Sequence, residues 1–264
     1  MIYDFFLIII LSFLMELIDS SLGMGYGTIL SPLFIIIFEY QPEIVIPSIL
    51  LSQAISGTIA GIFHNKYKNV SFKIHNKTWV ENIKYGFTKE LRFVLLISIT
   101  GGCFTIVGAT LTNYINPIIL KTYISILTIG IGIITITKKR FVFSWKKIIG
   151  FGMLSTFNKG FTGGGFGPIL TGGQILSGHK EKSAIGCTTL AEGPVCLIGF
   201  LAYLILDNVQ GSLFSFLTPM IIGSVLASPI GAFLTKKINK NSLNLIISIL
   251  LIILGAWTFT KIGF

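Results

Sequence analysis

The stretch "SSLGMGYGTIL", residues 20–30, places three glycines within five residues of an almost purely apolar segment. A second stretch, "FTGGGFGPIL", residues 161–170, repeats the pattern far downstream. When the two stretches are aligned, the glycines at 23, 25 and 27 match those at 163, 165 and 167. Because glycine weakens helices, the sequence predicts two backbone breaks of the same kind.

The composition around these stretches is that of an integral membrane protein. Of the 264 residues, 52% are hydrophobic and 11% are charged, whereas soluble domains carry about 25% charged residues. Residues 93–120 contain no acidic or basic side chain, and that run alone exceeds the roughly 20 residues that cross a bilayer. The N-terminus has no basic region and carries Asp4, so we expect no removable signal peptide.

The apolar runs predict an all-α fold, a polytopic membrane helix bundle with about 8–10 membrane segments. Segment 148–157 is too short to cross alone at a helical rise of about 1.5 Å per residue, so with 161–177 it is expected to form a broken, re-entrant hairpin. Segments 5–18 and 22–38 are candidates for the same kind of re-entrant hairpin. The predicted segments are 5–18, 22–38, 44–63, 93–111, 117–137, 148–157, 161–177, 184–206, 212–234 and 242–260.

The two glycine stretches belong to a longer internal repeat. A second alignment pairs 100–133 with 223–256, and 13 of the 34 positions are identical. The two alignments differ in offset mostly because of the polar loop 64–92, which only the first half contains. The repeat predicts two homologous transmembrane halves, about 1–140 and 145–264, that together form one transporter domain.

Basic residues predict how the halves are oriented. Lys and Arg are concentrated in 64–92, 138–147 and 235–241, whereas 39–43, 112–116 and 207–211 contain none. The positive-inside rule places the basic loops, including 64–92, in the cytoplasm. Corresponding loops of the two halves have opposite charge patterns, which predicts an inverted repeat, the architecture of secondary transporters. The net charge of +10 is explained by this topology, and no nucleic-acid partner is expected.

The two glycine breaks have a physical reading in a membrane. Broken backbone inside the bilayer is tolerated only where it lines a cavity, and the helix after each break presents free N–H groups and a positive dipole end. Two such helix starts facing each other predict a small-anion site near the midplane. A nucleotide loop is disfavoured because neither stretch ends in Gly-Lys-Ser/Thr. Close helix packing by the glycines remains an alternative. We expect the two breaks to lie within ~10 Å of each other.

Ionisable residues next to the breaks are candidate site residues, because such groups are costly inside a membrane and usually functional. Glu16 and Asp19 precede the first glycine stretch, and Lys159 precedes the second. The alignment of the two glycine stretches places Lys159 opposite Asp19. Either these two form an ion pair across the symmetry axis, or Lys159 faces the anion directly.

Gln53 and Glu192 form a second symmetric pair, aligned through "PSILLSQ" (47–53) and "GCTTLAE" (186–192). Hydroxyls and an amide suit oxyanion binding, whereas a carboxylate tolerates a nearby anion only when it is protonated. Glu192 is therefore predicted to carry a coupling proton, with Glu16 and Asp19 as further proton-coupling candidates. Helix–helix hydrogen bonding by these polar groups is the alternative. The predicted substrate-binding residues are Ser20, Ser21, Gly23, Gly25, Gly27, Ser52, Gln53, Lys159, Gly163, Gly164, Gly165, Gly167, Thr188 and Thr189.

No motif points to enzyme chemistry, a metal or a cofactor. Cys103, Cys187 and Cys196 form no Cys-x-x-Cys pair, so neither a disulfide framework nor a zinc site is implied. The histidines His64, His75 and His179 are predicted to lie in loops. Neither His-Glu-x-x-His nor Gly-x-Ser-x-Gly is present, so we expect no hydrolase activity.

The chain resembles the sulfite exporter TauE/SafE permeases, also described as the DUF81 or TSUP group. The resemblance is carried by "GMGYGTILSPL" (23–33), "GGGFGPILTGGQILSG" (163–178), "HNKYKNVSF" (64–72) and "KSAIGCTTLAEG" (182–193). It implies a multi-pass permease of the inner or plasma membrane, built from two homologous halves. It also implies a small sulfur-containing anion as the substrate, such as sulfite, thiosulfate or an organosulfonate.

Together these features predict a proton-coupled anion transporter that works by alternating access, with the lipid bilayer and a small anion as its partners. A passive anion channel and a transporter of another small anion, such as a carboxylate, are the competing functions. A membrane enzyme or assembly factor would need a nucleophile, redox pair or ligand cluster, and a membrane sensor remains open. The sequence also leaves a homo-oligomer open.

Overall fold

A computed structural model describes residues 2–73, 87–112, 114–136, 145–176, 179–206, 213–237 and 240–262. Regular secondary structure in these ranges is helical, which confirms the all-α prediction. Parts of the predicted loops 64–92, 138–147, 207–211 and 235–241 lie outside the described residues, and so does His75. The helices are α1 (Ile2–Leu22), α2 (Tyr26–Pro32, continued by a π-helical turn at Leu33–Ile37), α3 (Pro42–Lys66), α4 (Lys89–Thr112), α5 (Pro117–Ile136), α6 (Trp145–Thr162), α7 (Phe166–Leu176), α8 (Glu181–Ile205), α9 (Leu213–Leu234) and α10 (Lys240–Ile262).

Helix length and composition fit a chain that crosses the membrane several times. Among the described residues, five helices are long and apolar enough to cross, namely Tyr3–Leu22, Pro42–Lys66, Lys89–Thr112, Glu181–Ile205 and Leu213–Leu234. Large apolar side chains also cover the outside of the bundle: Ile99 is 72% exposed and Phe214 is 69% exposed. Such side chains are stable on an outer surface when lipid surrounds it.

The helix boundaries correct two predictions. The segment predicted at 5–18 is α1, Ile2–Leu22, which is long enough to span alone, so only its partner α2 is short. The segment predicted at 148–157 is α6, Trp145–Thr162. Polar residues near the ends of both helices lowered the local hydropathy, so the sequence predicted helices that were too short. Hydropathy does not show that a polar side chain is paired inside the protein.

The two predicted breaks are present, at residues 23–25 and 163–165. Gly23 and Gly25 have φ values of 72° and 139°, and Gly163 and Gly165 have φ values of 74° and 78°. These angles lie in the left-handed region that residues with a Cβ rarely adopt. Glycine is therefore required where α1 ends before α2 and where α6 ends before α7.

Helix packing places α2 and α7 inside the bundle. Helix α1 packs on α9, α3 packs on α8 and α9, α4 packs on α6 and α8, and α5 packs on α10. All seven residues of α2 are buried. The sequence repeat pairs α1 with α6 and α9 with α4, and both the α1–α9 and the α6–α4 contacts are present. The division into halves at 1–140 and 145–264 stays a prediction.

Candidate functional site

The two glycine breaks touch each other, backbone against backbone. A Cβ on Gly27 would overlap the carbonyl oxygen of Gly163, and one on Gly167 would overlap the carbonyl oxygen of Gly23. The prediction that the breaks lie within ~10 Å is thus confirmed. The internal repeat exchanges these two contacts, because it maps Gly27 onto Gly167 and Gly23 onto Gly163.

This contact limits where a ligand fits. A Cβ on Gly164 would lie 2.8 Å from the carbonyl oxygen of Gly27, so the facing backbones leave no room for an anion directly between them. The helix-packing alternative explains why glycine is needed at these contacts. A binding site at the breaks has to lie beside them, where side chains converge.

Lys159 lies at that position, one turn before the second break. Its Nζ donates to Glu192 Oε1 at 2.7 Å and also to Gln53 Oε1. A Cβ added to Gly27 would be 3.2 Å from the same Nζ. Lys159, Gln53 and Glu192 are each at most 2% exposed. Helices α3, α6 and α8 therefore converge on one buried ammonium group beside the first break.

The ion pair corrects one of the two readings of Lys159. In the described part of the chain its salt bridge is with Glu192, and Asp19 accepts the backbone N–H of Tyr26 at 3.2 Å. Asp19 lies in the last turn of α1 and faces the start of α2. It binds a free N–H group there, as an N-terminal acidic group does at many helix starts.

Glu16 is the centre of a second buried polar cluster, formed by α1, α3 and α9. Its Oε1 accepts from Ser20 Oγ at 2.5 Å and from Ser228 Oγ at 3.2 Å, and its Oε2 accepts from Ser56 Oγ at 3.1 Å. The carboxylate is 1% exposed. Three hydroxyl donors on three helices hold it in place and compensate part of its desolvation.

The two clusters form one electrostatic unit. Glu16 and Asp19 lie close enough to Glu192 for the negative charges to repel one another, and Asp19 also attracts Lys159. This core thus contains two more carboxyl groups than ammonium groups among the described residues. Unbalanced charge is expensive in a membrane interior, which makes these carboxyl groups candidates for binding a proton or a cation.

The other predicted hydroxyls do not point at Lys159. Ser21 Oγ donates to the carbonyl of Ile18, and Thr189 Oγ1 donates to the carbonyl of Ile185, each within its own helix. Thr188 accepts from Gln174 Nε2 at 2.8 Å. Ser52 Oγ bonds the hydroxyl of Tyr26 at 2.9 Å. These residues stabilise the walls of the core, and their role in substrate binding stays a prediction.

Sequence reasoning missed several residues of this core. Ser56 follows Gln53 by three positions and shares its face of α3, which was a usable signal, whereas nothing marked Ser228. Thr28 Oγ1 accepts the backbone N–H of Gly165 at 3.2 Å, linking the start of α2 to the second break. His64 was predicted in a loop and is instead fully buried in α3. His179 lies between α7 and α8, as predicted.

No metal centre is visible in the part of the chain that the structure describes. Those residues contain no group of three or more His, Cys, Asp or Glu side chains that could hold a metal ion. Cys187 and Cys196 are buried and Cys103 is exposed, all as free thiols.

The Glu16 cluster gives a stability prediction. We expect Ser56→Ala and Ser228→Ala each to lower the free energy of unfolding by about 1–3 kcal/mol, since each removes a hydroxyl donor from a buried carboxyl group. Ser98→Ala is the control, because that hydroxyl only bonds Val94 of its own helix, and a change within about 0.5 kcal/mol is expected. Unfolding in detergent measures all three, and equal effects would contradict the cluster's role.

Comparison with known proteins agrees with these features. The sequence profile of the family described as "Sulfite exporter TauE/SafE" matches residues 8–258. "Probable membrane transporter protein YtnM" of Bacillus subtilis (strain 168) is 24% identical over 261 residues, covering 93% of this chain and 79% of that protein. No solved structure matches the chain. With its broken helix pairs and apolar spans, the chain belongs to the sulfite exporter TauE/SafE family and is a multi-pass transporter of the cell membrane.

Proposed function

We propose that this transporter moves a small sulfur oxyanion such as sulfite together with a proton, with Lys159 binding the anion and Glu192 carrying the proton. The observation that carries the proposal is the buried Lys159–Glu192 pair, 2.7 Å long, beside two helix breaks. The carboxylate of Glu192 occupies the position on Lys159 that a substrate anion would take. Gln53 accepts another hydrogen bond from Lys159. Because Gln53 is uncharged, it can stay bound to Lys159 whether Glu192 or a substrate anion is the other partner.

Charge balance couples the anion to a proton. An anion cannot share Lys159 with an ionised Glu192, since two negative charges about 4 Å apart repel strongly where the effective dielectric constant is low. Protonation of Glu192 removes that repulsion and frees Lys159 for the substrate. Each bound anion therefore requires one bound proton at Glu192, and releasing both restores the ion pair. The excess of carboxyl groups in the core supports the same conclusion.

The positions of the breaks support alternating access. Gly163 lies against Ile46 and Ile49 near the start of α3, whereas Gly23 lies against Ile185 near the start of α8. By the charge pattern of the loops, α3 starts at the outer face and α8 starts at the cytoplasmic face. The first break is thus nearer to the cytoplasmic face and the second break is nearer to the outer face, with Lys159 next to both. Rocking of the predicted inverted halves would expose the site to one side at a time.

Sulfite is the proposed substrate because the family is named for it, and thiosulfate and organosulfonates share its charge and acceptor oxygens. The decisive experiment reconstitutes the protein in proteoliposomes under an imposed pH gradient. Uptake of labelled sulfite, thiosulfate, sulfoacetate and a carboxylate control is then measured. Accumulation of a sulfur anion that follows the proton gradient is expected. Movement of the carboxylate alone would show that the substrate assignment is wrong.

Glu192→Gln separates a transporter from a channel. Glutamine has the size of a protonated glutamate and still donates or accepts hydrogen bonds, but it cannot release a proton. We therefore expect anion exchange to persist while accumulation driven by a pH gradient falls to background. Full accumulation by the variant would contradict the role of Glu192. A wild-type protein that passes sulfite passively without accumulating it would indicate a channel.

A further inference from the structure

A large cavity opens at the end of the bundle where the first half's basic loop begins. Its volume is about 1220 Å³, which is far larger than one sulfite ion needs and exceeds the roughly 300–1,000 Å³ of most small-molecule sites. It lies between α3, α8 and α9 and the turns next to them. Six lysines from three chain segments line it, namely Lys66, Lys68, Lys73, Lys180, Lys182 and Lys236.

The cavity is strongly positive. Its acidic residues are Glu90 and Glu181, so the lining has four more cationic than anionic side chains. The salt bridge of the buried core, Lys159–Glu192, involves none of these six lysines. Converging like charges in a concavity focus the field and raise the local concentration of counter-ions.

The backbone that carries Lys68 forms a defined turn. Lys68 has a φ of 59°, a left-handed conformation that a lysine adopts only when its surroundings impose it. Its turn is closed by the N–H of Asn69, which donates to the carbonyl of His64 at 2.9 Å. Asn69 also donates through its side chain to the carbonyl of Ala232 at 2.8 Å. The turn is thereby tied to both α3 and α9.

Hydrogen bonds connect the cavity floor to the first helix break. Thr235 lines the cavity, and its hydroxyl lies 3.3 Å from the carbonyl oxygen of Ser20 and 3.2 Å from that of Ser21. Asn69 bonds His64 at 3.0 Å, and His64 Nε2 bonds the carbonyl of Ser20 at 2.8 Å. Ser20 and Ser21 lie just before the break, so these hydrogen bonds link the cavity lining to the end of α1.

We propose that this cavity is an anion reservoir: its six lysines concentrate small oxyanions at the entrance to the first helix break. The proposal rests on the transport function, because it gives the cavity the role of supplying anions to the transport site. The accumulation of anions in the cavity can nevertheless be measured without transport. The positive-inside rule explains lysines on this face in general. It does not require six of them to converge on one cavity.

The first test measures the local potential with a single reporter thiol. Ser71 lines the cavity, so Ser71→Cys is made in a Cys103→Ser background, which leaves the two buried cysteines. The reaction rates with an anionic sulfonatoethyl and a cationic trimethylammonium methanethiosulfonate reagent are then compared. At about 10 mM salt we expect the anionic reagent to be favoured by about tenfold or more, and at about 1 M salt we expect the preference to vanish.

The second test uses transport from the cavity side. The triple variant Lys68→Gln/Lys180→Gln/Lys182→Gln should raise the KM for sulfite about tenfold at low salt, with an unchanged maximal rate and an unchanged KM from the opposite face. The matched control removes three charges that do not line the cavity, as Lys89→Gln/Arg92→Gln/Lys237→Gln, and should change the KM far less. Wild type and variant should converge at high salt.

The outcomes separate this proposal from the transport proposal. If no sulfur anion is transported, the proposed substrate fails, and the thiol reagents still decide whether the cavity concentrates anions. Equal rates of the two reagents at low salt would overturn the reservoir. A reagent preference that disappears only in vesicles containing phosphatidylglycerol would place a lipid headgroup in the cavity and also overturn it. An unchanged KM in the triple variant would show that the cavity lies off the transport path.

Discussion

Lys159→Gln should abolish sulfite transport and lower the free energy of unfolding by about 3–5 kcal/mol, the cost of leaving one partner of a buried ion pair alone. Lys159 is 1% exposed, and its Nζ is 2.7 Å from Glu192. Without the ammonium group, the carboxylate of Glu192 has no counter-charge in the core and the anion has no cation to bind. Unfolding in detergent and counterflow of labelled sulfite in proteoliposomes measure the two effects.

A double variant separates stability from binding. In Lys159→Gln/Glu192→Gln both charges are removed, so we expect most of the lost stability to return. Transport should remain absent, because the cation that binds the anion is still missing. Lys121→Gln is the control for loss of one lysine, since Lys121 lies near the start of α5 and is not among the partners of Lys159 or Glu192 described above. A double variant that transports sulfite normally would reduce Lys159 to a structural residue.

Gly27→Ala is the second change with a large expected effect. The added Cβ would overlap the carbonyl oxygen of Gly163 and come within 3.2 Å of Lys159 Nζ. The carbonyl oxygen of Gly163 belongs to the backbone of the other break, so it cannot rotate away as a side chain would. We expect a loss of about 1–3 kcal/mol from overpacking, and a loss of transport because the breaks are pushed apart beside the ammonium group.

The same helix pair offers a matched control for this substitution. Gly172 lies in α7, and a Cβ there would meet no atom within 4 Å. Gly172→Ala should therefore leave transport intact and stabilise the protein by up to about 1 kcal/mol, because alanine favours a helix over glycine. Thermal unfolding and sulfite counterflow compare the two variants. Similar behaviour of Gly27→Ala and Gly172→Ala would contradict the close contact of the breaks.

The sequence was sufficient for the features that depend on local chemistry. Apolar runs predicted the helices, and the glycine stretches predicted where α1 and α6 end, because positive φ angles at Gly23 and Gly163 need residues without a Cβ. The repeat of those stretches also predicted that the two breaks would meet. Such features follow from composition and spacing, which a single sequence contains.

The partner of Lys159 could not be predicted in the same way. The repeat aligned Lys159 with Asp19, but symmetry-related positions need not touch each other. The packing of α8 on α3 brings Glu192 and Gln53 to the ammonium group instead, while Asp19 is used at the start of α2. Side-chain pairing across helices depends on their relative rotation, and the hydropathy of each helix does not specify it.

The most direct test of the anion site is an experimental structure of the protein with selenite, which resembles sulfite and scatters anomalously at the selenium edge. We expect an anomalous peak within about 4 Å of Lys159 Nζ, one charge-assisted hydrogen bond plus one Se–O bond away, with the carboxyl group of Glu192 moved off the ammonium group. Selenium bound elsewhere in the core, with the Lys159–Glu192 ion pair intact, would contradict it.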